Sequence, residues 1–350
     1  MKEKDDLTYT GVPVVSTHSD SAQCSSVGQD FLYIGDGSDN TVKRFDAVSG
    51  VFLGTFVVPG SGGLNGPRGL LFDHEGNLLV SNQNPGQHKN GNVLKYNGNT
   101  GAFLSELVRF NGKNAPFAPR GIVLSDANVL FVADLIDKNN KKPGELRTYD
   151  VTTGNFLGNL DHSGFSGPFY PRGVVFGPDG LLYVSIFNIS NPLDGWVLQF
   201  DPDTGEFIGV FVGSTVFNNL HRPEGLVFGP DGHLYVTSFR RDENDTDKIL
   251  IFDRNTGVLL DKIDLYNVGE PRAFAQAILF GPDGKLFVPI TGPGPLTGDP
   301  LGPDTGSVRR YDVQSKTFDV FVPPASEGGP LGEPWYLTFG NTNPATFAYQ

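Results

Sequence analysis

Short apolar runs separated by Gly, Pro, Asp and Asn cover the chain from about residue 31 to its end. Between Arg172 and Val184, two such runs rich in Val, Leu, Phe and Tyr flank Gly177-Pro178-Asp179-Gly180, the composition of a tight hairpin turn. A third run, Trp196 to Phe200, leads through Asp201-Pro202-Asp203-Thr204-Gly205 into a fourth, Glu206 to Phe211, so a second hairpin follows the first. The unit predicted is a four-stranded antiparallel meander. Its first two strands are apolar on both faces, which suits a sheet held between neighbouring sheets.

The unit recurs. Matching segments begin at Pro67, Pro119, Pro171, Pro223 and Ala275, each 52 residues after the last, and a shortened copy begins at Pro334. A fixed period of this size marks a repeat architecture. Residues 31–58 carry only three strands, beginning at Phe31, Thr41 and Val51, and lack the leading Pro-Arg-Gly strand. The stretch Trp335 to Gly340 matches that missing strand and has no partners after it, so it is placed to complete the first blade and remove the open sheet edges. The expected fold is all-β: a six-bladed β-propeller over residues 31–350, four antiparallel strands per blade, preceded by an extension of residues 1–30.

Charge and cysteine content narrow the partners. A net charge of −13 with a pI near 4.8 opposes a polyanionic partner, so nucleic acid is not expected. Cys24 is the single cysteine and excludes an internal disulfide. No stretch approaches the ~20 apolar residues of a membrane span, and Met1 to Asp6 does not lead into a signal-peptide core. No membrane association and a cytoplasmic location are the expectations; oligomeric state stays open.

The hairpin turns, such as Gly229-Pro230-Asp231-Gly232, repeat almost unchanged and read as structural. The connections at the opposite ends vary from blade to blade: Ser81 to Asn92, Ala133 to Glu145, Ser185 to Trp196, Thr237 to Lys248 and Pro289 to Ser307. Variable loops on a rigid scaffold are where function tends to sit. Two columns of the repeat should line the axial mouth on that face. The first is Arg68, Arg120, Arg172, Glu224, Gln276 and Trp335; the second is Asp36, Asn82, Asp134, Ile186, Ser238 and Ile290. With Phe187, Phe239, Phe274 and Arg240 nearby, the mouth is expected to be polar on one side and apolar on the other, fit for an apolar small molecule with one oxygenated end. Arg68, Arg120, Arg172, Glu224 and Gln276 are the candidate catalytic groups, and the remaining residues the candidate binding groups. Two roles are open to the arginines: ligand donors, or braces paired with Asp36, Asp134 and carbonyls.

Other groupings carry less. His18, His74, His88, His162, His221 and His233 show no metal-ligand spacing, and no Ser-His-Asp order is recognisable. Asp242, Glu243, Asn244, Asp245 and Asp247 form an acidic loop with oxygen ligands enough for Ca²⁺ but without the EF-hand spacing.

The Pro-Arg-Gly, apolar, Gly-Pro-Asp-Gly, apolar repeat resembles the NHL and SMP-30/gluconolactonase-like six-bladed propellers over about residues 31–350. That group includes metal-dependent lactonases, synthases, lyases and plain binding modules. For the lactonases the resemblance implies one divalent cation, Ca²⁺ or Mg²⁺, which Glu224, Asp36, Asn82 and Asp134 imitate a set for, although three arginines in the same ring would repel it. The stretches His221 to Gly232 and Pro334 to Gly340 also resemble fungal hetero-Diels–Alderase propellers of natural-product pathways. The function expected is a cofactor-independent cyclisation or cycloaddition, by alignment and hydrogen-bond polarisation, with no metal. A metal-dependent lactonase and a non-catalytic binding module are the alternatives.

Overall fold

The computed structural model describes residues 29–87, 89–136, 143–191, 193–214, 219–293 and 299–350. Cys24, His18 and His88 lie outside them. The described chain forms six four-stranded antiparallel sheets arranged as a propeller. Blade 1 holds β1 (Phe31–Asp36), β2 (Thr41–Asp46) and β3 (Phe52–Val57). Blade 2 is β4 (Pro67–Phe72) to β7 (Phe103–Val108), with β5 (Leu78–Asn82) and β6 (Asn92–Tyr96) between. Blade 3 runs from β8 (Pro119–Leu124) through β9 (Val129–Ile136) and β10 (Pro143–Asp150) to β11 (Phe156–Asn159). Blade 4 comprises β12 (Pro171–Phe176), β13 (Leu182–Phe187), β14 (Gly195–Phe200) and β15 (Phe207–Val212). Blade 5 comprises β16 (Leu226–Phe228), β17 (Leu234–Ser238), β18 (Lys248–Phe252) and β19 (Leu259–Asp264). Blade 6 comprises β20 (Leu279–Phe280), β21 (Leu286–Ile290), β22 (Ser307–Asp312) and β23 (Thr317–Val322). The last strand, β24 (Pro334–Phe339), pairs antiparallel with β1, Leu32 opposite Phe339, and closes the ring.

Burial follows the expected gradient. The inner strands β12 and β24 are buried at every position, whereas β3, β15 and β19 at the rim are exposed or half-buried at most of theirs. Blades are joined by a repeated aromatic pair in which a second-strand ring meets the inner-strand ring of the next blade edge-on. The pairs are Tyr33–Phe72, Phe131–Phe176, Tyr183–Phe228, Tyr235–Phe280 and Phe287–Phe339, with ring centres 4.9 to 5.6 Å apart. Such pairs add about 0.5–1.5 kcal/mol beyond the area they bury. Between blades 2 and 3 both places are leucine, Leu79 and Leu124, in one apolar cluster.

The inner strands close around a narrow apolar channel lined by Leu70, Ile122, Val174, Leu226, Ile278 and Leu337, with a free volume of about 40 Å³. At the turn end the C-terminal tail crosses it. The amides of Leu124 and Phe176 donate to the carbonyls of Pro344 and Ala345, and Phe347, at φ 57°, lines the same channel. The other end opens toward the Pro-Arg-Gly starts of the inner strands.

Candidate functional site

The inner strands of blades 2 to 4 begin with a defect. In blades 2, 3 and 4, Pro67 faces Asn82, Pro119 faces Asp134 and Pro171 faces Ile186, but regular pairing resumes only at Leu70, Ile122 and Val174. The Arg-Gly pair is therefore bulged out of the ladder, a device that re-aims side chains. The glycine of each pair lies against the next inner strand: a Cβ at Gly69 would come 2.7 Å from the Arg120 carbonyl oxygen, and one at Gly121 2.9 Å from that of Arg172. Ser81 and Ser185 donate across to the carbonyls of Arg120 and Glu224, at 2.6 and 2.7 Å, locking these bulges between blades.

The first column comes together as a ring at the channel end. Arg172 Nη1 lies 2.7 Å from Glu224 Oε1, and its guanidinium carbon is 4.1 Å from the centre of the Phe187 ring. Arg68 donates from Nε to Gln83 and from Nη1 to Gln276, 2.8 Å away in blade 6, while its guanidinium stacks 3.4 Å over Trp335. Trp335 is thus a platform for Arg68, pressed on its other side against Gly37. A further member of the ring is Tyr336, which the sequence reading missed. It occupies the place that holds glycine in blades 2 to 5 and Ala277 in blade 6, and it feels the charges of Glu224, Arg120, Arg68 and Arg172. An aromatic residue in a column of glycines was the available signal.

Four polar atoms in this ring are buried without a hydrogen-bond partner: Arg120 Nε, Arg172 Nε, Glu224 Oε2 and the Tyr336 hydroxyl. Buried polar groups are nearly always paired, so each is an observation that needs a cause. Charge is unbalanced too, with three guanidiniums against one carboxylate. Burial and then the neighbouring charge of Arg120 push the Arg68 guanidinium well below its usual range. Burial pushes that of Arg172 down to about 9 against the pull of Glu224. Burial, reinforced by Glu224, raises the Tyr336 phenol to about 12 against the arginines, so it stays a neutral donor at pH 7. The ring is a set of preorganised donors around the axis, able to hold an electron-rich oxygen.

The second column takes a different place from the one expected. Asp36, Asn82, Asp134 and Ser238 are fully buried. Each holds the link that leads into an inner strand. Asp36 accepts from the amides of Gly332 and Glu333 and from Lys43, and Asn82 accepts from the Asn65 amide. Asp134 accepts from the amides of Phe117 and Ala118 and from Arg147, and Ser238 accepts from the His221 amide. They are latches, because the link amides lie within the sheet's edge and would otherwise lack acceptors. Burial raises the Asp134 carboxyl; burial pushes the Asp36 carboxyl the same way, but its bonds from Lys43, Ser38 and the two amides hold it below the ordinary range. Ile186 and Ile290 are fully buried in the apolar clusters. The expected apolar half of the mouth is therefore core.

Phe239 and Arg240 belong to a separate cluster between blades 5 and 6. Phe239 meets Phe274 edge-on at 5.3 Å, the Arg272 guanidinium covers Phe274 at 3.8 Å and donates to Asp247, and Arg240 donates to Asp299. Arg222, half-buried at φ 45°, feels Arg272 and in turn bears on Arg172, so it links this cluster to the ring. The acidic loop is spent internally: Asp245 holds Lys248 at 2.6 Å, and Asp247 holds Arg272 and the amides of Arg240 and Phe274. Among the described residues no three His, Cys, Asp or Glu side chains are grouped to hold an ion. Glu224 alone of the imagined ligand set faces the ring, and it is paired with Arg172, so these residues do not fit a divalent cation.

Among the described residues no helix is long and apolar enough to cross a membrane. No protein-family model matches the chain, and no curated protein matches it. Solved structures do resemble it. One is a protein of unknown function from Bacteroides caccae, 10% identical with a TM-score of 0.59, the match covering 89% of this chain and 98% of that one. Another is the extracellular domain of a presumed hybrid two-component system from B. thetaiotaomicron, 11% identical with a TM-score of 0.51, covering 86% of this chain and 34% of that one. A presumed gluconolactonase aligns at 15% identity with a TM-score of 0.47, covering 75% and 86% of the two chains. At these identities the first two likenesses speak for the fold alone, and the chemistry rests on the site.

Proposed function

We propose that this propeller binds a small organic molecule at its axial arginine ring and acts on it by polarising an electron-rich oxygen, without a side-chain nucleophile or a metal. The observation that carries this reading is the set of buried donors left without acceptors, Arg120 Nε, Arg172 Nε and the Tyr336 hydroxyl. An oxygen that gains negative charge during a reaction would be met by donors already in place, and removing one such donor typically costs about 10²–10³ in rate. Cyclisation, cycloaddition and lyase chemistry all build such charge. The channel volume of about 40 Å³ is far below the ~300–1,000 Å³ of organic-ligand pockets. The body of the molecule therefore lies over the rim between the variable loops, and only its oxygenated end enters the ring. The lactonase alternative requires a cation that this donor set does not suit.

The test is a ligand screen of oxygenated terpenoid, polyketide and lactone compounds by thermal shift and calorimetry, on the parent protein and on Arg120→Ala. Binding that disappears in a normally folded Arg120→Ala protein supports the proposal; ligands that bind both proteins equally overturn it. Dialysis against EDTA should leave binding unchanged.

A further inference from the structure

We infer that the ligand of the axial ring is a hydroxycarboxylate, an anion whose carboxylate is accompanied by a hydroxyl or comparable donor. This rests on the ring being the binding site. The protein leaves four polar atoms unmatched there. Three donors, Arg120 Nε, Arg172 Nε and the Tyr336 hydroxyl, are buried without an acceptor. One acceptor, Glu224 Oε2, is buried without a donor, while its other oxygen is taken by Arg172.

A molecule that satisfies all four must offer at least three acceptor positions and one hydrogen to donate. A ketone or ether offers no hydrogen and leaves Glu224 Oε2 unpaired; a simple alcohol offers too few acceptors. A carboxylate carries about four acceptor positions on two oxygens and suits the planar fork of a guanidinium. Its neighbouring hydroxyl supplies the hydrogen for Glu224.

Charge selects the anion over the neutral analogue. Arg68, Arg120 and Arg172 share the ring with Glu224, the Glu333 carboxyl bears on Arg68 from the adjoining link, and the half-buried Arg222 adds its field to that of Arg172, so four guanidiniums face two carboxyls. Among the described residues Arg120 has neither an ion pair nor a side-chain hydrogen bond, which makes it the first contact for the carboxylate. The protein as a whole is acidic at −13, so this basic axial spot is a local exception to its surface.

Calorimetric titration with three compounds of matched size tests it: mandelate, phenylacetate, which lacks the hydroxyl, and mandelamide, which lacks the charge. Mandelate should bind roughly tenfold tighter than phenylacetate, and mandelamide weakest of the three. Glu224→Gln, whose melt is recorded alongside, should erase the preference for mandelate over phenylacetate, and Tyr336→Phe should weaken both acids. Mandelamide binding as tightly as mandelate, a hydroxyl preference that survives Glu224→Gln, or no binding by either acid overturns the inference. Neutral carbonyl compounds that bind and depend on Arg120 would then leave the axial site standing with a different ligand class. If nothing that binds depends on Arg120, the site itself falls.

Discussion

Arg172 and Glu224 form an ion pair across the boundary between blades 4 and 5, 2.7 Å long and almost out of solvent, yet each keeps one polar atom without a partner. The pair is half brace and half offer. Of the two roles open to the arginines, this geometry gives Arg172 a structural share, whereas Arg120 holds no such partner. Arg172→Ala should therefore destabilise the protein by about 3 kcal/mol, the lower end of the cost of breaking a buried pair, because Arg120 and Arg68 still compensate Glu224. Adding Glu224→Gln should recover most of the loss, and Arg120→Ala should stay within about 1 kcal/mol of the parent. Urea melts of these variants decide it; an Arg172→Ala protein as stable as the parent would show that the pair does not brace the blades.

Two glycines separate backbone strain from collision. Gly180, at φ 83° in the turn between β12 and β13, has open space where a Cβ would go, so Gly180→Ala should cost about 1 kcal/mol from strain alone. Gly173 has an ordinary φ, but its Cβ would overlap the Glu224 carbonyl oxygen. Gly173→Ala should cost more than Gly180→Ala and should also impair ligand binding, since the collision displaces the segment before β16 that carries Glu224. Equal melts for the two variants would refute this assignment.

Removing residues 333–350 takes away the inner strand of blade 1, the Phe339 ring that meets Phe287, and the tail that crosses the channel. We expect the truncated chain to lose its cooperative melt or to melt at least 15 °C lower, in a protein where about 1 kcal/mol corresponds to a few degrees at most. A melt at the parental temperature would mean that closure does not depend on this strand.

Asp36 gives a pH signature. Its carboxyl is held below the ordinary value of 3.8 in the folded state, so the stability it contributes is fully present above that value and is lost as pH falls through the lower, folded one. Asp36→Asn should melt below the parent at neutral pH, and the gap should close in acid below pH 3.8. A gap independent of pH across that window would rule out the carboxylate's charge as the source.

The fold was legible in the chain because each requirement of a blade leaves its own trace at one interval: glycine where strands touch, turn residues at Gly177-Pro178-Asp179-Gly180, apolar runs between. The aromatic joints went unread, although Tyr33, Phe131, Tyr183, Tyr235 and Phe287 fall at one position of the repeat. Of the candidate site, one column was legible by position. Arg68, Arg120, Arg172, Glu224 and Gln276 could be aligned and do meet at the axis. Asp36, Asn82, Asp134 and Ser238 align just as well, but the link amides turn toward them, and no count of residues reveals that a side chain is already taken. Tyr336 was hidden for the opposite reason: it breaks a glycine column instead of continuing one.

The clasp between β1 and β24 also has a history in time. Asp36 leaves the ribosome first, and the Gly332 amide that it will hold follows 296 residues later. Until then β1 offers an unpaired edge, while blades 2 to 6 can each assemble from neighbouring segments. Long-range pairings of this kind form late and slowly, and an unmatched strand edge invites pairing with another chain. The seam that makes the finished ring continuous is therefore the interval in which a growing molecule is most open to aggregation, and the short, charged run Thr41–Asp46 beside it leaves β1 covered on one side only while it waits.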